Sequence, residues 1–525
     1  MPTLHWIGKD KVINHHQDVP YKVLDKQYTY KNGEESQETT SENKIIHGDN
    51  LEALKSLLPE YEGKVKCIYI DPPYNTGEEK WIYNDSVNDP KIKKWLGKVV
   101  GKESEDLSRH DKWLCMMYPR LKLLHKLLAE DGVIFISINF KYEHSHLRLI
   151  CNEIFGETNY IGELTWESTT QPINSGSAKF GLQQKVEPII FFAKNKGNLS
   201  RFILKEIDTG FKYPHKGKLG DCRFQIIEKS DAGGYNRETM KFPILGQMPR
   251  EGKRWQIGLD TAKWLEANDR VEIVDGIIKM AIYPDDELEK RKFIPFWSHL
   301  SANQYGTAQS GKDLLNTIME RPIGFDTVKP PQLIEELISH FQKDSIILDS
   351  FAGSGTTAHA VLNLNKQDGG NRKFILIEME DYANSITAER VKRVIKGYGE
   401  GTKTVEGTGG DFSYYQLGQP IFLEQDILNE EIGLEKIQEY VWYTETKKPF
   451  VPQKESYFLG KKEDTAYYFY YQRDSITTLD EKFLRTLKTK AKGYIIYADN
   501  CLLTKELMQK YNIIFKKIPR DITRF

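Results

Sequence analysis

The chain has 525 residues, 39% hydrophobic and 28% charged, with a formal net charge of −1. That length exceeds one ordinary core and predicts about two to four domains. The near-neutral total excludes a globally basic nucleic-acid binder but leaves room for a local basic face. In chain order, the opening MPTLHWIGKDKV lacks an apolar signal core, and no apolar run approaches the ~20 residues of a membrane span, so a cytoplasmic chain is expected. NKIIHGD reads as a strand and NLEALKSLLPE as a helix. VKCIYI is the next strand, HDKWLCMMYPRLKLLHKLLAEDG a helix stopped by its glycine, and VIFISI a strand. HSHLRLICNEIFG is a further helix, and GELTWES with VEPIIFFAKN reads as a strand pair with a long connection. The alternation resumes with SIILDSF, GTTAHAVLNLN, KFILIEM and NSITAERVKRVIKGYG. Apolar strands alternating with helices predict an α/β fold with a mostly parallel, doubly wound sheet.

Residues 196–320 break the rhythm and read as an inserted domain between 1–195 and 321–400. A Gly/Thr-rich linker, GEGTKTVEGTGGD, leads into a small α/β module over 401–525, in which TAYYFYYQ is expected to be a core strand. The five cysteines, Cys67, Cys115, Cys151, Cys222 and Cys501, form no CxxC pair, so neither a zinc site nor a disulfide framework is expected. No metal site is predicted elsewhere in the chain.

Two stretches carry chemistry. In ILDSFAGSGTTAHA a strand runs through Asp349 into a turn with Gly353 and Gly355 and then a helix. Glycine there lets the backbone turn tightly and approach a ligand. Ligands in open α/β sheets bind beyond the carboxyl ends of strands. No GK[ST] follows, which argues against a phosphate-binding loop, and the next strand ends in Glu378, placed to accept from ribose hydroxyls. A nucleoside ligand without a pyrophosphate fits, S-adenosylmethionine among them; an ordinary strand-to-helix turn is the plainer reading. The second stretch is KCIYIDPPYNTG. Asp71 and the carbonyl of Pro72, fixed by the geometry of Pro72 and Pro73, can accept the two hydrogens of an exocyclic amine on a flat heterocycle, while Tyr74 stacks on its ring. Methyl transfer to that amine then needs little beyond in-line positioning. A base inside a duplex would have to be flipped out to reach such a site. The plainer reading is a stiff strand end with a buried tyrosine.

DPPYNTG together with DSFAGSGTT resembles the amino-methyltransferases of DNA. With the catalytic motif first, the inserted domain second and the cofactor motif last, the order resembles the β-class arrangement. FDTVKPPQLIEELI, with Lys329-Pro330, is similar to the helix before the family's cofactor strand, and HGDNLEAL to the segment whose acid, here Asp49, reads the cofactor adenine. HDKWLCMMYPRLKLLHKLLAEDGVIFISI, LHWIGKDKVINHH, LRLICNEIFGETNYIGELTW and KKIPRDITRF are similar to the Mod subunits of type III restriction–modification systems. Two segments depart from that pattern: NFKYEHSH stands where acidic residues and then N-E are usual, and VEPIIFFAKN where H-E-Y is more frequent.

The resemblance implies a Rossmann-like, circularly permuted methyltransferase sheet with an inserted target-recognition domain. It implies a catalytic group of Asp71, Pro72, Pro73 and Tyr74. S-adenosylmethionine would be held by Asp49, Asp71, Lys329, Asp349, Phe351, Gly353, Ser354, Gly355, Thr356, Thr357 and Glu378, with Lys329 near its methionine end. It also implies a double-stranded DNA substrate, a homodimer and a helicase–nuclease restriction partner. The expected reaction is methylation of adenine N6. Cytosine N4, RNA or protein glutamine methylation, and a DNA-binding specificity subunit without catalysis are the competing readings.

In the inserted segment, residues 201–255 hold 12 Lys/Arg against 7 Asp/Glu, interleaved with Phe202, Phe211, Tyr213, Phe224, Tyr235, Phe242 and Trp255. Basic and aromatic residues together suit a surface for phosphates and bases, with YNRETMKFP and MPREGKRWQIG as candidate contact loops.

Overall fold

Burial on both faces turns the apolar runs into the centre of a sheet. The computed structural model describes residues 3–31, 33–75, 108–171, 182–207, 212–231, 237–287, 292–325, 327–423, 427–448 and 450–523. Eleven strands of these residues form one sheet. They are β1 (Lys22–Lys31), β2 (Glu34–Ser36), β3 (Lys44–His47), β4 (Val65–Ile70), β5 (Leu128–Ser137), β6 (Tyr160–Glu167), β7 (Val186–Ala193), β8 (His299–Leu300), β9 (Ile346–Asp349), β10 (Lys373–Glu378) and β11 (Asp411–Pro420). Their order in space is β8-β6-β7-β5-β4-β9-β10-β3-β11-β1-β2. The run from β5 to β11 is parallel, while β7 and β1 are antiparallel to their neighbours.

The pairing of β4 with β9 is the fact on which the rest depends. Cys67 lies opposite Ile347, and Ile68 opposite Leu348, in parallel register. Strands far apart in sequence therefore deliver their following turns to the same edge of the sheet. Helices α1 (Asn50–Tyr61), α2 (Arg109–Leu127), α3 (His144–Phe155), α4 (Ala308–Met319), α5 (Pro331–Ser339), α6 (Thr356–Asp368) and α7 (Glu389–Lys396) supply the connections. Trp113, Met117, Leu121 and Leu124 of α2 are fully buried in the main core with Ile68 and Ile70 of β4. No helix among the described residues is long and apolar enough to cross a membrane.

Three features differ from expectation. Helix α2 stops at Leu127, and Gly132 lies inside β5, where a Cβ would come within 2.8 Å of the Val65 carbonyl oxygen. That glycine permits close strand approach rather than ending a helix. Strands β1, β2 and β11 extend the sheet beyond the expected elements; β11, placed by the sequence in the C-terminal module, pairs with β3. The rest of that module forms a four-stranded sheet, Phe458–Lys462, Thr465–Phe469, Gly493–Ala498 and Ile513–Lys517, in which Tyr467, Tyr468 and Phe469 are buried core. It belongs to the same compact unit as the large sheet, over residues 1–203 and 298–525, rather than standing apart.

The second compact unit is Leu204–Trp297, narrower than the expected 196–320. It holds a four-stranded antiparallel sheet, a helix at Leu259–Ala267, and a core that includes Ile227, Phe242, Ile244, Trp255 and Leu265. Phe242 and Trp255, expected at a contact surface, are buried, and Trp255 Nε1 donates to the Phe242 carbonyl at 2.6 Å. Phe202 falls in the first unit, packed on Phe191 with centroids 5.9 Å apart. Phe211 and Tyr235, like Thr76, Gly77 and the last two residues of KKIPRDITRF, lie outside the described residues. Several basic side chains of the unit are already paired: Arg250 with Glu228 at 2.6 Å, and Lys241 with Asp231 at 2.6 Å. Trp264 and Trp297 are the exposed aromatics with the largest rings here, at 58% and 64%.

Candidate active site

An open cavity sits at the carboxyl ends of β4 and β9. Its wall includes Asp71, Pro72, Pro73 and Tyr74 from the first strand end, and Asp349, Phe351, Gly353, Ser354, Thr356 and Thr357 from the second. Lys329 lies between them. The two stretches singled out in the sequence thus share one cavity.

At the β4 end, a polar cluster surrounds Asp71. The Tyr74 hydroxyl donates to Asp71 Oδ1 at 2.8 Å and lies 3.0 Å from Glu187 Oε2. Lys329 Nζ donates to Asp71 Oδ2 at 2.8 Å and to the Tyr74 hydroxyl oxygen at 2.9 Å, and it is 3.4 Å from Glu187 Oε2. Burial alone would lower the Lys329 pKa; the Asp71 and Glu187 carboxylates outweigh it and raise it above the ordinary lysine value. Burial, then Asp71 and Glu187, push the Tyr74 phenol well above its ordinary value, so it stays a neutral donor. Trp113 Nε1 donates to the Pro73 carbonyl at 2.7 Å, which pins the turn to α2.

The β9 end is built differently. Asp349, 3% exposed, accepts from the Phe351 amide at 3.0 Å and the Thr357 hydroxyl at 2.6 Å. Burial pushes its carboxyl up to about 7, against the pull of those two donors. Gly353 and Gly355 take φ of 51° and 82°, the left-handed region open to glycine at least cost. Arg390 of α7, fully buried, donates to Ser354 Oγ and Thr356 Oγ1, each at 2.8 Å, so the far side of the turn is also fixed.

Two expected site residues face protein rather than the cavity wall. Glu378 accepts from the Gly353 amide at 2.7 Å and the Glu380 amide at 2.9 Å, and burial pushes its carboxyl up to about 7. Asp49 caps α1, with Oδ1 accepting from Leu51 N at 2.9 Å and Glu52 N at 3.1 Å, and its other oxygen lies 3.4 Å from Arg120. Both stand at the ends of neighbouring strands, His47 opposite Glu378.

Sequence reasoning missed Glu187, whose only signal was an acid opening an apolar strand, and Trp166, whose ring lies 5.6 Å from Lys329 Nζ. It also missed a group built by the departing segment NFKYEHSH. Glu143 and His146 meet His110 of α2: His110 Nδ1 is 2.6 Å and His146 Nδ1 2.7 Å from the two Glu143 oxygens. Burial would raise the Glu143 pKa; hydrogen bonds from His146, Asn75 and His110 outweigh it and hold the carboxylate below its ordinary value.

Comparison with known proteins follows the same lines. Residues 65–389 match the family model described as DNA methylase. The chain is 31% identical to the Mod subunit of the type III restriction–modification enzyme EcoPI of Escherichia phage P1, over 75% of this chain and 68% of that one. It is 30% identical to the EcoP15I Mod subunit of Escherichia coli, over 72% of this chain and 64% of that one, and so spans under two thirds of that relative's length. Among solved structures, a cytosine-N4-specific PvuII DNA methyltransferase aligns at 15% identity and a TM-score of 0.33, over 67% of this chain and 87% of that one.

Proposed function

The chain belongs to the DNA methylase family, and we propose that it transfers a methyl group from S-adenosylmethionine to N6 of an adenine flipped out of double-stranded DNA. The observation that carries this reading is the side-by-side pairing of β4 and β9, which sets Asp71 and Tyr74 across one cavity from the glycine turn at 353–355.

The residues present suit the cofactor. The left-handed glycine turn exposes backbone to the cavity, and among the described residues Lys329, paired with Asp71, is the one basic side chain in its wall. Phe351, Gly353 and Ser354 would hold it, with Asp349, Thr357, Thr356 and Gly355 keeping the turn in shape; when bound it supplies an electrophilic methyl group. Glu378 would act on it through the Gly353 amide, and Asp49 from the mouth of β3. On the other side, Tyr74 offers its ring to the extruded base, recovering about 1–3 kcal/mol of the unstacking cost. Asp71 and the Pro72 carbonyl accept from the amino group and aim its lone pair, and Asp71 is the acceptor beside the proton that the amine sheds.

Lys329 now occupies one of those acceptors. Its ammonium sits on Asp71 Oδ2, where the target amine must bind, and on the Tyr74 oxygen. Glu187, 3.4 Å away, is the carboxylate onto which Lys329 can withdraw when a base enters. The site is therefore held ready by an amine of the protein until the amine of the substrate replaces it.

The Leu204–Trp297 unit, with exposed Trp264 and Trp297, is the part we assign to target recognition. A Mod-like role implies a homodimer and a restriction partner acting on cytoplasmic DNA. Incubating DNA with the chain and methyl-labelled cofactor, then separating the nucleosides, tests the reading. Label in N6-methyladenine supports it. Label in N4-methylcytosine reassigns the base, and no label under conditions of cofactor binding makes the chain a binding subunit.

A further inference from the structure

We propose that His110, Glu143 and His146 bind one divalent transition-metal ion of the zinc class, and that this ion clamps the turn that follows Tyr74. The site is separate from the methyl-transfer chemistry and is unused by it.

The three donors come from two helix starts. His110 lies in the first turn of α2, Glu143 is the residue before α3, and His146 is in the first turn of α3. Glu143 and His146 are three residues apart and so share a face. One ligand atom from each lies within 4.8 Å of the other two. The imidazole rings stand 5.3 Å apart at 60°, so they approach the carboxylate from different directions rather than stacking.

Burial shows that the carboxylate is held for its partners. The Glu143 side chain is 0% exposed, and a buried carboxylate is costly unless donors surround it. Its donors are the two histidines and Asn75 Nδ2. The histidine side chains remain 39% and 33% exposed, which leaves a path for an ion from solvent. A tetrahedral centre with bonds of about 2.0–2.1 Å spaces its donors by about 3.3 Å. The present 2.6 and 2.7 Å contacts would open by under about 1 Å to admit it. Ligation through Nδ1 moves the proton of each neutral ring to Nε2, and no other bond changes. Two imidazoles and one carboxylate suit zinc, cobalt, nickel or copper, whereas magnesium and calcium prefer oxygen. Three protein ligands leave a fourth position for water.

The link to the active site is Asn75. It follows Tyr74, takes a left-handed φ of 59°, and donates both to Glu143 and to the Arg109 carbonyl at 3.2 Å. An ion on Glu143 would fix that carboxylate, and with it the residue that orients the end of the catalytic turn. Outer-shell partners of this kind typically change metal affinity by about 10–100-fold.

The test uses the full, untagged chain stripped with chelator and titrated with Co²⁺ and, separately, Zn²⁺. We expect one equivalent of Co²⁺ with visible d–d absorption, displaced by Zn²⁺, and a rise in Tm with Zn²⁺. His146→Gln and His110→Gln keep a hydrogen-bonding side chain and should each weaken binding at least about tenfold, Asn75→Ala about 10–100-fold. Melting in chelator checks that each variant folds, and either histidine variant suffices if the other does not. Absence of stoichiometric binding by the wild-type chain overturns the proposal, as does unchanged affinity in the folded histidine variants. None of these readouts depends on methyl transfer, so the proposal stands or falls apart from the enzyme assignment.

Discussion

Two apolar strands end in an aspartate, and the two acids do opposite work. Asp71, at the end of β4, is 29% exposed in the cavity and bears a lysine ammonium and a phenol. Asp349, at the end of β9, is 3% exposed, takes a backbone amide and a threonine hydroxyl, and is pushed up to about 7. One acid presents itself to a ligand; the other braces the loop that does. An acid at the end of an apolar strand is thus no guide to role. What separates them is the burial and the kind of donor each meets.

The largest expected effect breaks the presenting side. Asp71→Ala should cut methyl transfer by at least about 10²-fold, as misplacement of a reacting group does, while equilibrium dialysis shows cofactor affinity nearly unchanged. Next is Lys329→Met, which leaves Asp71 and Glu187 without their shared cation. Loss of charged hydrogen bonds of this sort costs about 2 kcal/mol, read as a fall in denaturant midpoint. Smaller again is Gly355→Ala on the bracing side. At φ 82°, with a Cβ 3.1 Å from the Thr387 carbonyl oxygen, the left-handed penalty is about 1–2 kcal/mol. A cofactor titration should register roughly a tenfold loss of affinity, with the rate at saturation changed less.

The subtlest effect is in pH. Asp349 keeps its proton up to about 7 in the native state, whereas an ordinary carboxyl in the unfolded chain loses it near pH 3.9. Between those values the native state binds more protons, so this group's contribution to stability falls as pH rises through the window. Asp349→Asn should therefore show a smaller drop in Tm from about pH 5 to about pH 7.5 than the wild-type chain. An identical drop would mean that Asp349 is ionised in the native turn and that the contrast with Asp71 is overstated.

The central strands and the two turns were legible because strands buried on both faces need continuous apolar runs, as in VKCIYI and KFILIE. β1 and β11 were not, because KVLDKQYTYK and DFSYYQLGQP hold neither a continuous apolar run nor a strict polar–apolar alternation. Gly132 misled for a different reason: a glycine needed for close strand approach looks the same in sequence as one that ends a helix. In the site, motif residues were legible through local chemistry, and Glu187, Trp166 and the His110–Glu143–His146 group were not, since each acquires its meaning only from partners brought by the fold. At Asp49 and Glu378 the sequence shows an acid closing or following a strand; what it does not show are the contacts each makes, the α1 cap at Asp49 and the Gly353 amide at Glu378.

The central claim is that the ends of β4 and β9 form one methyl-transfer site with divided labour. It is tested most directly by measuring cofactor binding and methylation of duplex DNA on the same preparations of wild-type chain and Asp71→Ala. Both should bind S-adenosylmethionine with similar affinity, while only the wild type places label on adenine N6. An Asp71→Ala chain that methylates DNA at the wild-type rate would contradict it.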